Sequence, residues 1–282
     1  MSIALELKHV GFKYATAKTK TIDDVSFQVE KGKFCAIVGA NGSGKTTICN
    51  LIRGFAPHFY TGDFEGEINI LGETINEDSL KMLSEKVGFV FQNPFVQISG
   101  STETVFEEVA FGLENLGIAI DTIKERVNTI LTMTGIDKLR DKNPTELSGG
   151  QKQRVALASI LAMDPEIFVI DEPTSQLDPQ GTEDIFEIIK MLKEQGKTIV
   201  LVEHKIELVA EYADQIIVLD GGKIVMNDDS KKVFSNPDVL KHCVNLPCYA
   251  NLGLQLRKKG HDIKEIPIKR EEAIKFLGKE NA

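Results

Sequence analysis

The chain has 282 residues, of which 42% are hydrophobic and 27% are charged, and its formal net charge is −9. This composition is typical of a folded globular protein, and the length allows one large domain or a domain with a substantial appendage. The negative charge argues against general binding to nucleic acid or anionic lipid, because both require clustered lysine and arginine.

No apolar run approaches the roughly 18 residues needed to span a bilayer, and the first residues lack the basic and apolar regions of a signal peptide. We therefore expect a cytosolic protein whose contact with a membrane runs through other proteins. Cys35 and Cys49 fall in apolar stretches and are predicted to be small core residues. His242, Cys243 and Cys248 raise the idea of a metal site, but no second Cys/His pair accompanies them, so a structural role is favoured.

Two half-buried antiparallel strands are predicted at the start, because apolar and polar residues alternate over Ile3–Leu7 and again over Val25–Val29. Tyr14 lies between them. An exposed aromatic ring at this point could stack on a purine, or it could pack against its own strands, and position alone leaves both readings open.

The segment from Gly39 to Thr46 reads GANGSGKT and fits the phosphate-binding pattern G-x-x-x-x-G-K-[ST]. An apolar strand over Lys33–Val38 precedes it and a helix over Thr47–Ile52 follows, so the context disfavours a glycine-rich turn that binds nothing. Backbone N–H groups and the helix start would hold phosphates, Lys45 would supply charge, and Thr46 would bind a Mg²⁺ ion. The predicted nucleotide-binding residues here are Gly39, Asn41, Gly42, Ser43, Gly44, Lys45, Thr46 and Thr47.

The middle of the chain changes from strand to helix patterns. Strands are predicted over Gly66–Ile70 and Val87–Phe91, and the second ends at Gln92-Asn93-Pro94. A period of 3.6 residues then predicts a helical subdomain, about residues 101 to 163, inserted in an α/β core. Its helices are predicted over Thr104–Leu116, Asp121–Thr134 and Ser148–Ala162.

The core resumes with an apolar run, Ile167–Ile170, typical of a central parallel strand. Alternating helices and strands follow, which is the βαβ pattern. We predict a helix over Gln180–Gln195, a strand over Thr198–Val202, a helix over Lys205–Ala213, a strand over Gln215–Leu219 and a hairpin into Ile224–Met226. Residues 236–282 carry no chemical motif and are predicted to be a small appendage or a packed tail.

Three acid or base side chains follow the predicted core strands. Asp171 is placed to hold Mg²⁺ through water, and the adjacent Glu172 can take a proton from a water molecule. His204 follows the next strand, where it can reach a γ-phosphate. Alone, His204 would more often be a structural residue.

The sequence Leu147-Ser148-Gly149-Gly150-Gln151 opens a helix with a capping serine and two glycines, so its first turn presents unpaired N–H groups to an anion. This is a second predicted phosphate site. With it the chain resembles the ATP-binding cassette (ABC) family, whose signature is LSGGQ, over about residues 3 to 230. The matching motifs are Tyr14 as the adenine-stacking aromatic, Gly39–Thr46 as Walker A, Gln92 as the Q-loop glutamine, Ser148–Gln151 in the signature, Ile167–Asp171 as Walker B, Glu172 as the catalytic base, Ser175–Asp178 as the D-loop and His204 as the switch histidine.

The resemblance implies an α/β fold of the P-loop NTPase class. It comprises an ABC ATP-binding domain over residues 1–235, with a RecA-like core, an antiparallel β subdomain and an inserted α-helical subdomain, followed by a small extension over 236–282. It implies ATP hydrolysis carried by Glu172, His204, Gln92 and Lys45, with Mg²⁺ held by Thr46, Gln92 and Asp171. In this family the signature of one subunit caps the ATP bound by another, so the chain is expected to work as a homodimer or with a related ATPase.

One branch of the family fits better than the others. Phe91-Gln92-Asn93-Pro94, Gln97 and residues 105–117 are similar to the ATPases of energy-coupling factor transporters, which take up vitamins, cobalt or nickel. This similarity implies a transmembrane coupling subunit, a substrate-binding membrane subunit and a location at the cytoplasmic face of the cell membrane. Phe95-Val96 stand where that branch has acidic and polar residues, and Ser99–Thr104 is about two residues longer.

Other functions predict features that differ from this sequence. A soluble cassette acting on nucleic acid or the ribosome predicts a coiled-coil insert or two cassettes and a basic surface. A binding-only regulatory subunit predicts a broken catalytic set, whereas Glu172 and His204 are both present. A phosphotransferring kinase has no use for the signature helix, and another class of ABC transporter remains an alternative.

Overall fold

Two β-sheets organise the chain in a computed structural model that describes residues 2–280, with side chains described through Lys275. The strands run in the order β1 to β10 along the sequence. Their bounds are β1 Ile3–Tyr14, β2 Ile22–Glu30, β3 Phe34–Val38, β4 Gly62–Ile70, β5 Glu73–Thr74, β6 Val87–Val90, β7 Ile167–Asp171, β8 Thr198–Val202, β9 Gln215–Asp220 and β10 Lys223–Asp229.

The larger sheet has six strands in the order β10-β9-β3-β8-β7-β6, and only the β9–β10 pair is antiparallel. Every residue of β3, β6, β7 and β8 is buried, as the continuous apolar runs predict. Because these strands are parallel, their carboxyl ends lie at one edge of the sheet. Val38, Val90, Asp171 and Val202 therefore deliver the segments that follow them to the same place.

The smaller sheet is antiparallel, with strand order β2-β1-β4-β5. Its first strand extends to Tyr14 and β4 begins at Gly62, so the predicted limits at Leu7 and Gly66 are wrong. The prediction ended too early because a bulge interrupts the alternation of apolar and polar residues in β1. The pairing of β1 shifts register after Leu7, and His9 has a φ of 49°. A Cβ atom at Gly66 would lie 2.4 Å from the His9 carbonyl oxygen, so the partner strand needs glycine there.

The helices form the remaining layers, and the three predicted in the insertion are present within one residue or so of their expected starts. Thr104 and Ser148 act as N-caps rather than as first helical residues. The described helices are α1 Lys45–Ile52, α2 Leu80–Lys86, α3 Val105–Asn115, α4 Ile120–Met133, α5 Gly149–Met163, α6 Pro179–Glu194, α7 Ile206–Tyr212, α8 Ser230–Phe234, α9 Cys248–Lys258 and α10 Arg270–Glu280.

Helices α2, α8, α9 and α10 were not predicted, and the last two belong to the C-terminal segment. This segment packs on the main body: Val239, Ala250 and Ile266 belong to the same buried cluster as β3 and α5. Lys269 Nζ also donates a hydrogen bond to the Glu211 carbonyl, at 2.6 Å. Of the two readings of the C-terminal segment, the packed tail agrees with these contacts.

Within residues 2–280, none of the helices has both the length and the apolar character required to cross a membrane.

Candidate functional site

The phosphate loop predicted over Gly39–Thr46 connects β3 to α1, at the carboxyl edge of the larger sheet. Two of its glycines are required by close contacts. A Cβ atom at Gly39 would lie 2.1 Å from the Leu219 carbonyl oxygen, and one at Gly44 would lie 2.6 Å from Ile22 Cδ1. Both residues also have positive φ, which other residues rarely adopt. The loop is thus held by β9 on one side and β2 on the other.

Lys45 extends across this loop and is 4% exposed. Its Nζ donates hydrogen bonds to the carbonyl oxygens of Gly39 and Ala40, both at 3.0 Å. Burial lowers the pKa of Lys45, while the carboxylates of Glu172 and Asp171 oppose that shift. The ammonium group is therefore fixed at the centre of a loop suited to phosphate oxygens.

Asp171 ends β7 and lies beneath the loop, 2% exposed. Burial raises its pKa to about 6, and a hydrogen bond with Thr46 and the nearby charge of Lys45 act in the opposite direction. Its Oδ1 atom has no hydrogen-bond partner among the described residues. A buried, unpaired carboxylate oxygen beside a hydroxyl is a donor set that suits a hard cation such as Mg²⁺.

Glu172 lies between two side chains from the segments that follow β6 and β8. Gln92 Nε2 donates to Glu172 Oε2 at 2.7 Å, and His204 Nε2 lies 2.9 Å from Glu172 Oε1. The Glu172 backbone has a φ of 44°, and its N–H donates to the Val202 carbonyl at 2.9 Å. The Glu172 side chain lines the nucleotide cleft, whereas that of Asp171 is buried, so the two adjacent carboxylates occupy different surroundings.

Lys45, Gln92 and Glu172 meet at an open cleft of about 310 Å³, whose lining does not include Asp171 or His204. It is lined by Thr21, Asn41, Gly42, Gly44, Lys45, Thr46, Thr47, Gln92 and Glu172. Thr21 is the one lining residue that we did not predict. Thr21 belongs to none of the sequence motifs. It reaches the cleft because the N-terminal sheet folds over the phosphate loop, as the closeness of Gly44 to Ile22 of β2 indicates.

Tyr14 ends β1 and is half-buried, not exposed as the stacking interpretation supposes. Its ring packs edge-to-face on Phe12, with centroids 4.8 Å apart, and its hydroxyl lies 3.0 Å from Thr47 Oγ1. The packed alternative is therefore seen, and the ring is anchored beside the phosphate-loop helix. A role in stacking on adenine stays a prediction.

The signature residues lie outside the set that lines the cleft. Ser148 caps α5: its Oγ accepts from the Gln151 N–H at 3.4 Å, and Gln151 Oε1 accepts from the Ser148 N–H at 3.1 Å. Ser148 is exposed, and a Cβ atom at Gly149 would meet nothing within 4 Å. The start of this helix is therefore open to a ligand from outside the chain's own cleft.

A second, apolar groove of about 200 Å³ lies between the core and the helical layer. Its lining includes Phe55, Phe89, Phe91, Val96 and Ile160. Just outside it, Phe95 is 56% exposed, and the Lys152 ammonium lies 4.3 Å from the centre of its ring. The segment after Gln92 thus joins the cleft to an exposed apolar surface.

Comparison with known proteins adds independent evidence. A family model described as ABC transporter matches residues 22–175. A putative ABC transporter ATP-binding protein of Pyrococcus abyssi is 42% identical over 91% of both chains. The energy-coupling factor transporter ATP-binding protein EcfA1 of Caldanaerobacter subterraneus subsp. tengcongensis is 40% identical over 98% of this chain and 99% of its own.

Among solved structures, that of cbiO1 from Clostridium perfringens, a part of the ABC transporter complex cbiONQ, is 31% identical. It superposes with a TM-score of 0.74 and covers 93% of this chain and 98% of its own. The similarity therefore includes the C-terminal segment as well as the motifs. This chain belongs to the ABC transporter family as an ATP-binding ATPase subunit of the type coupled to transport, and it resembles the ATPases of energy-coupling factor transporters along nearly its whole length.

Proposed function

We propose that this protein is the ATP-hydrolysing subunit of an energy-coupling factor type importer, in which ATP-driven closure of two ATPase subunits drives uptake of a vitamin or a metal ion. The observation that carries the proposal is the Glu172 carboxylate, held between Gln92 and His204 at a cleft whose other wall is the phosphate loop. Residues 1–235 would form the ATP-binding domain, and residues 236–282 its C-terminal extension.

Each residue at the cleft has a role in this proposal. Lys45 and the N–H groups of the phosphate loop bind the β- and γ-phosphates, so that Lys45 exchanges its carbonyl partners for phosphate oxygens. Glu172 takes a proton from the attacking water, and His204, 2.9 Å from Glu172 Oε1, orients the Glu172 carboxylate.

Thr46, Asp171 and Gln92 are the residues that would hold Mg²⁺. The unpaired Oδ1 of Asp171 supports this assignment. When bound, the ion would neutralise charge on the phosphate oxygens.

A second ATPase subunit, either another copy or a related chain, completes the site. The exposed start of α5, with Ser148 as its cap, offers N–H groups that the chain's own cleft does not use. If these groups cap the ATP of another subunit, the two subunits would close only with nucleotide bound and would open after hydrolysis.

The membrane subunit is proposed to dock on the apolar groove beside Phe91 and Val96. An amphipathic helix could bury its apolar face there, in the way helices bind grooves generally. Gln92 links this groove to the cleft through a short segment, so a change at the nucleotide would move the docked helix. In this proposal the protein works at the cytoplasmic face of the membrane, together with a coupling subunit and a substrate-binding membrane subunit.

The Glu172→Gln variant tests the catalytic part of the proposal. Because Gln keeps the shape of the side chain but cannot take up a proton, we expect ATP binding to persist, turnover to fall by about two to four orders of magnitude, and an ATP-bound dimer to accumulate. Hydrolysis is measured by phosphate release and the dimer by light scattering after gel filtration. Lys45→Ala should instead lose ATP binding. Undiminished hydrolysis by Glu172→Gln would refute the role of Glu172.

The transport part needs a separate test, in which the tagged protein is purified from detergent-solubilised membranes. Recovery of a transmembrane coupling subunit together with a vitamin- or metal-binding membrane subunit is the expected result. Val96→Asp, which places a charge beside the groove, should release both subunits without abolishing ATP binding. Recovery of ribosomal proteins or nucleic acid in their place would favour the soluble-cassette alternative.

A further inference from the structure

A second pair of polar residues, Thr174 and Glu203, is buried on the same two segments that carry Glu172 and His204. Thr174 and Glu203 are 1% and 2% exposed, and Thr174 Oγ1 donates a hydrogen bond to Glu203 Oε2 at 2.7 Å. Sequence motifs identified neither residue as functional. A buried carboxylate is rare in a protein of this kind unless it has specific partners, so its contacts indicate what it holds in place.

The other oxygen of Glu203 binds the backbone that carries the histidine. Glu203 Oε1 accepts from the His204 N–H at 2.9 Å and from the Lys205 N–H at 3.3 Å. Both carboxylate oxygens are therefore occupied, one by the turn that follows β8 and the other by the turn that follows β7. A buried carboxylate that accepts three hydrogen bonds restrains the positions of its donors.

The two pairs form a closed ring of contacts. Glu172 and Thr174 are two residues apart on one segment, and Glu203 and His204 are adjacent on the other. On the exposed side His204 Nε2 meets Glu172 Oε1 at 2.9 Å, and on the buried side Thr174 meets Glu203. The Glu172 N–H, bonded to the Val202 carbonyl at 2.9 Å, ties the two segments together at their base.

We infer that Thr174 and Glu203 are positioning residues that set the distance between the Glu172 carboxylate and the His204 imidazole. The inference rests on the roles proposed above for Glu172 and His204. Neither Thr174 nor Glu203 lines the nucleotide cleft, so their loss should change the rate of hydrolysis and leave the affinity for ATP nearly unchanged.

The main test is Thr174→Val, which keeps the shape of the side chain and removes the hydroxyl donor. We expect kcat to fall by about 10- to 100-fold, the range that a small misplacement of catalytic groups causes. The Kd for ATP, measured by equilibrium binding, should stay within about twofold of the wild-type value because the phosphate loop is untouched. Thr174→Ser, which retains the hydroxyl, should restore most of the lost kcat.

Thr198→Val is a matched control, because Thr198 is a buried threonine, 1% exposed like Thr174. Its hydroxyl accepts a hydrogen bond from the Gly32 N–H at 3.0 Å, and it begins β8, at the opposite end of that strand from Glu203. Thermal unfolding of each variant measures the general cost of losing a buried hydroxyl. We expect a similar fall in Tm for both valine variants but little change in kcat for Thr198→Val.

Two further variants cover the case in which Thr174→Val does not fold. Glu203→Gln can keep its contacts, because the amide oxygen still accepts from the two N–H groups and the amide nitrogen can donate to the Thr174 hydroxyl. Its kcat should therefore stay within about threefold of the wild-type value. Glu203→Asp shortens the side chain by one methylene and should lower kcat about 10-fold with ATP affinity retained.

Equal losses of kcat in Thr174→Val and Thr198→Val would overturn the inference, as would a loss of ATP binding as large as the loss of kcat. Glu172→Gln, measured alongside, separates the two levels of the argument. If Glu172→Gln hydrolyses ATP normally, the proposed function fails. If it is inactive while Thr174→Val and Glu203→Asp are fully active, only the positioning role fails.

Discussion

The side-chain amide of Gln92 donates a hydrogen bond to Glu172 Oε2 across 2.7 Å, although the two residues lie 80 positions apart in the chain. They meet because β6 and β7 are adjacent parallel strands, so that the segments leaving them share one edge of the sheet. Gln92 is exposed and directly precedes the turn beside the apolar groove. The contact therefore joins the proposed catalytic base to the surface proposed for the membrane subunit.

Gln92→Ala should reduce ATP hydrolysis by about 10-fold or more without a large change in stability, because an exposed side chain that orients the base is lost. Gln97→Ala is the matched control. Gln97 is partly buried and donates to the Phe89 and Ala156 carbonyls, so its loss should cost roughly 1–3 kcal/mol in the free energy of unfolding.

Phosphate release and urea denaturation of both variants check this prediction. If Gln92→Ala proves to be the less stable protein, or if it hydrolyses ATP at the wild-type rate, Gln92 does not act through Glu172.

Ser148→Ala should have two separable effects. Loss of the N-cap of α5 should destabilise the isolated subunit by about 1 kcal/mol. Loss of a group proposed to contact another subunit's ATP should also reduce ATP-dependent dimer formation, measured with the Glu172→Gln background by light scattering.

Thr104→Ala is the matched control, because Thr104 caps α3 with the same reciprocal pattern of hydrogen bonds. It should show a similar loss of stability and normal dimer formation. If both variants dimerise equally well with ATP, Ser148 acts only as a helix cap.

The ion pairs of Glu166 should make part of the free energy of unfolding sensitive to acid. Hydrogen bonds from Lys31 and Lys86, at 2.8 and 2.9 Å, lower the pKa of Glu166 below its ordinary value of 4.5. Because the folded pKa is below the unfolded one, the unfolded state binds more protons in this range. The ion pairs of Glu166 therefore stabilise the folded state fully above the unfolded pKa of this residue, and this contribution is lost as the pH falls through the folded pKa.

Glu166→Gln should accordingly unfold with a flatter dependence on pH than the wild type between about pH 5 and pH 3. Glu183→Gln, at an exposed position on α6, makes the same change in net charge and serves as the control. Parallel curves for all three proteins, from chemical denaturation at several pH values, would contradict the prediction.

The four cysteines should divide into two classes of reactivity. Cys35 and Cys49 are buried, and burial raises the pKa of both thiols, whereas Cys243 and Cys248 are exposed. A thiol reagent should therefore label two groups in the native protein and four after unfolding. The Cys243→Ser/Cys248→Ser double variant should show almost no native labelling; rapid labelling in that variant would mean that the core opens readily.

The sequence predicted the parts of the site that lie in continuous motifs. Lys45 lies in the loop-helix segment after β3, and Asp171 and Glu172 stand at the end of β7. Because the strands of a parallel sheet end at one edge, the proximity of these residues follows from local patterns. The burial of Cys35 and Cys49 in the core was predicted in the same way and is confirmed. The periodic helices of the insertion were also located to within a few residues, because an amphipathic helix leaves a strong local pattern.

Contacts between distant residues could not be predicted in this way. Thr21 enters the cleft because the N-terminal sheet folds over the phosphate loop, and the Thr174–Glu203 bond joins residues 29 positions apart. The true length of β1 was hidden by a bulge that breaks its alternation after Leu7. Helices α9 and α10 have mixed patterns, and the buried positions of Ala250 and Ile266 depend on packing against the main core.

The sequence by itself determined which chemical groups this protein carries and which local elements present them, because backbone geometry near glycines and apolar periodicity are local properties. Only the tertiary structure decided which side chains meet: that Glu172 lies between Gln92 and His204, and that a buried Thr174–Glu203 pair supports them. The reason is physical. Hydrogen-bond geometry varies over tenths of an ångström, and the packing of a whole sheet sets distances on that scale.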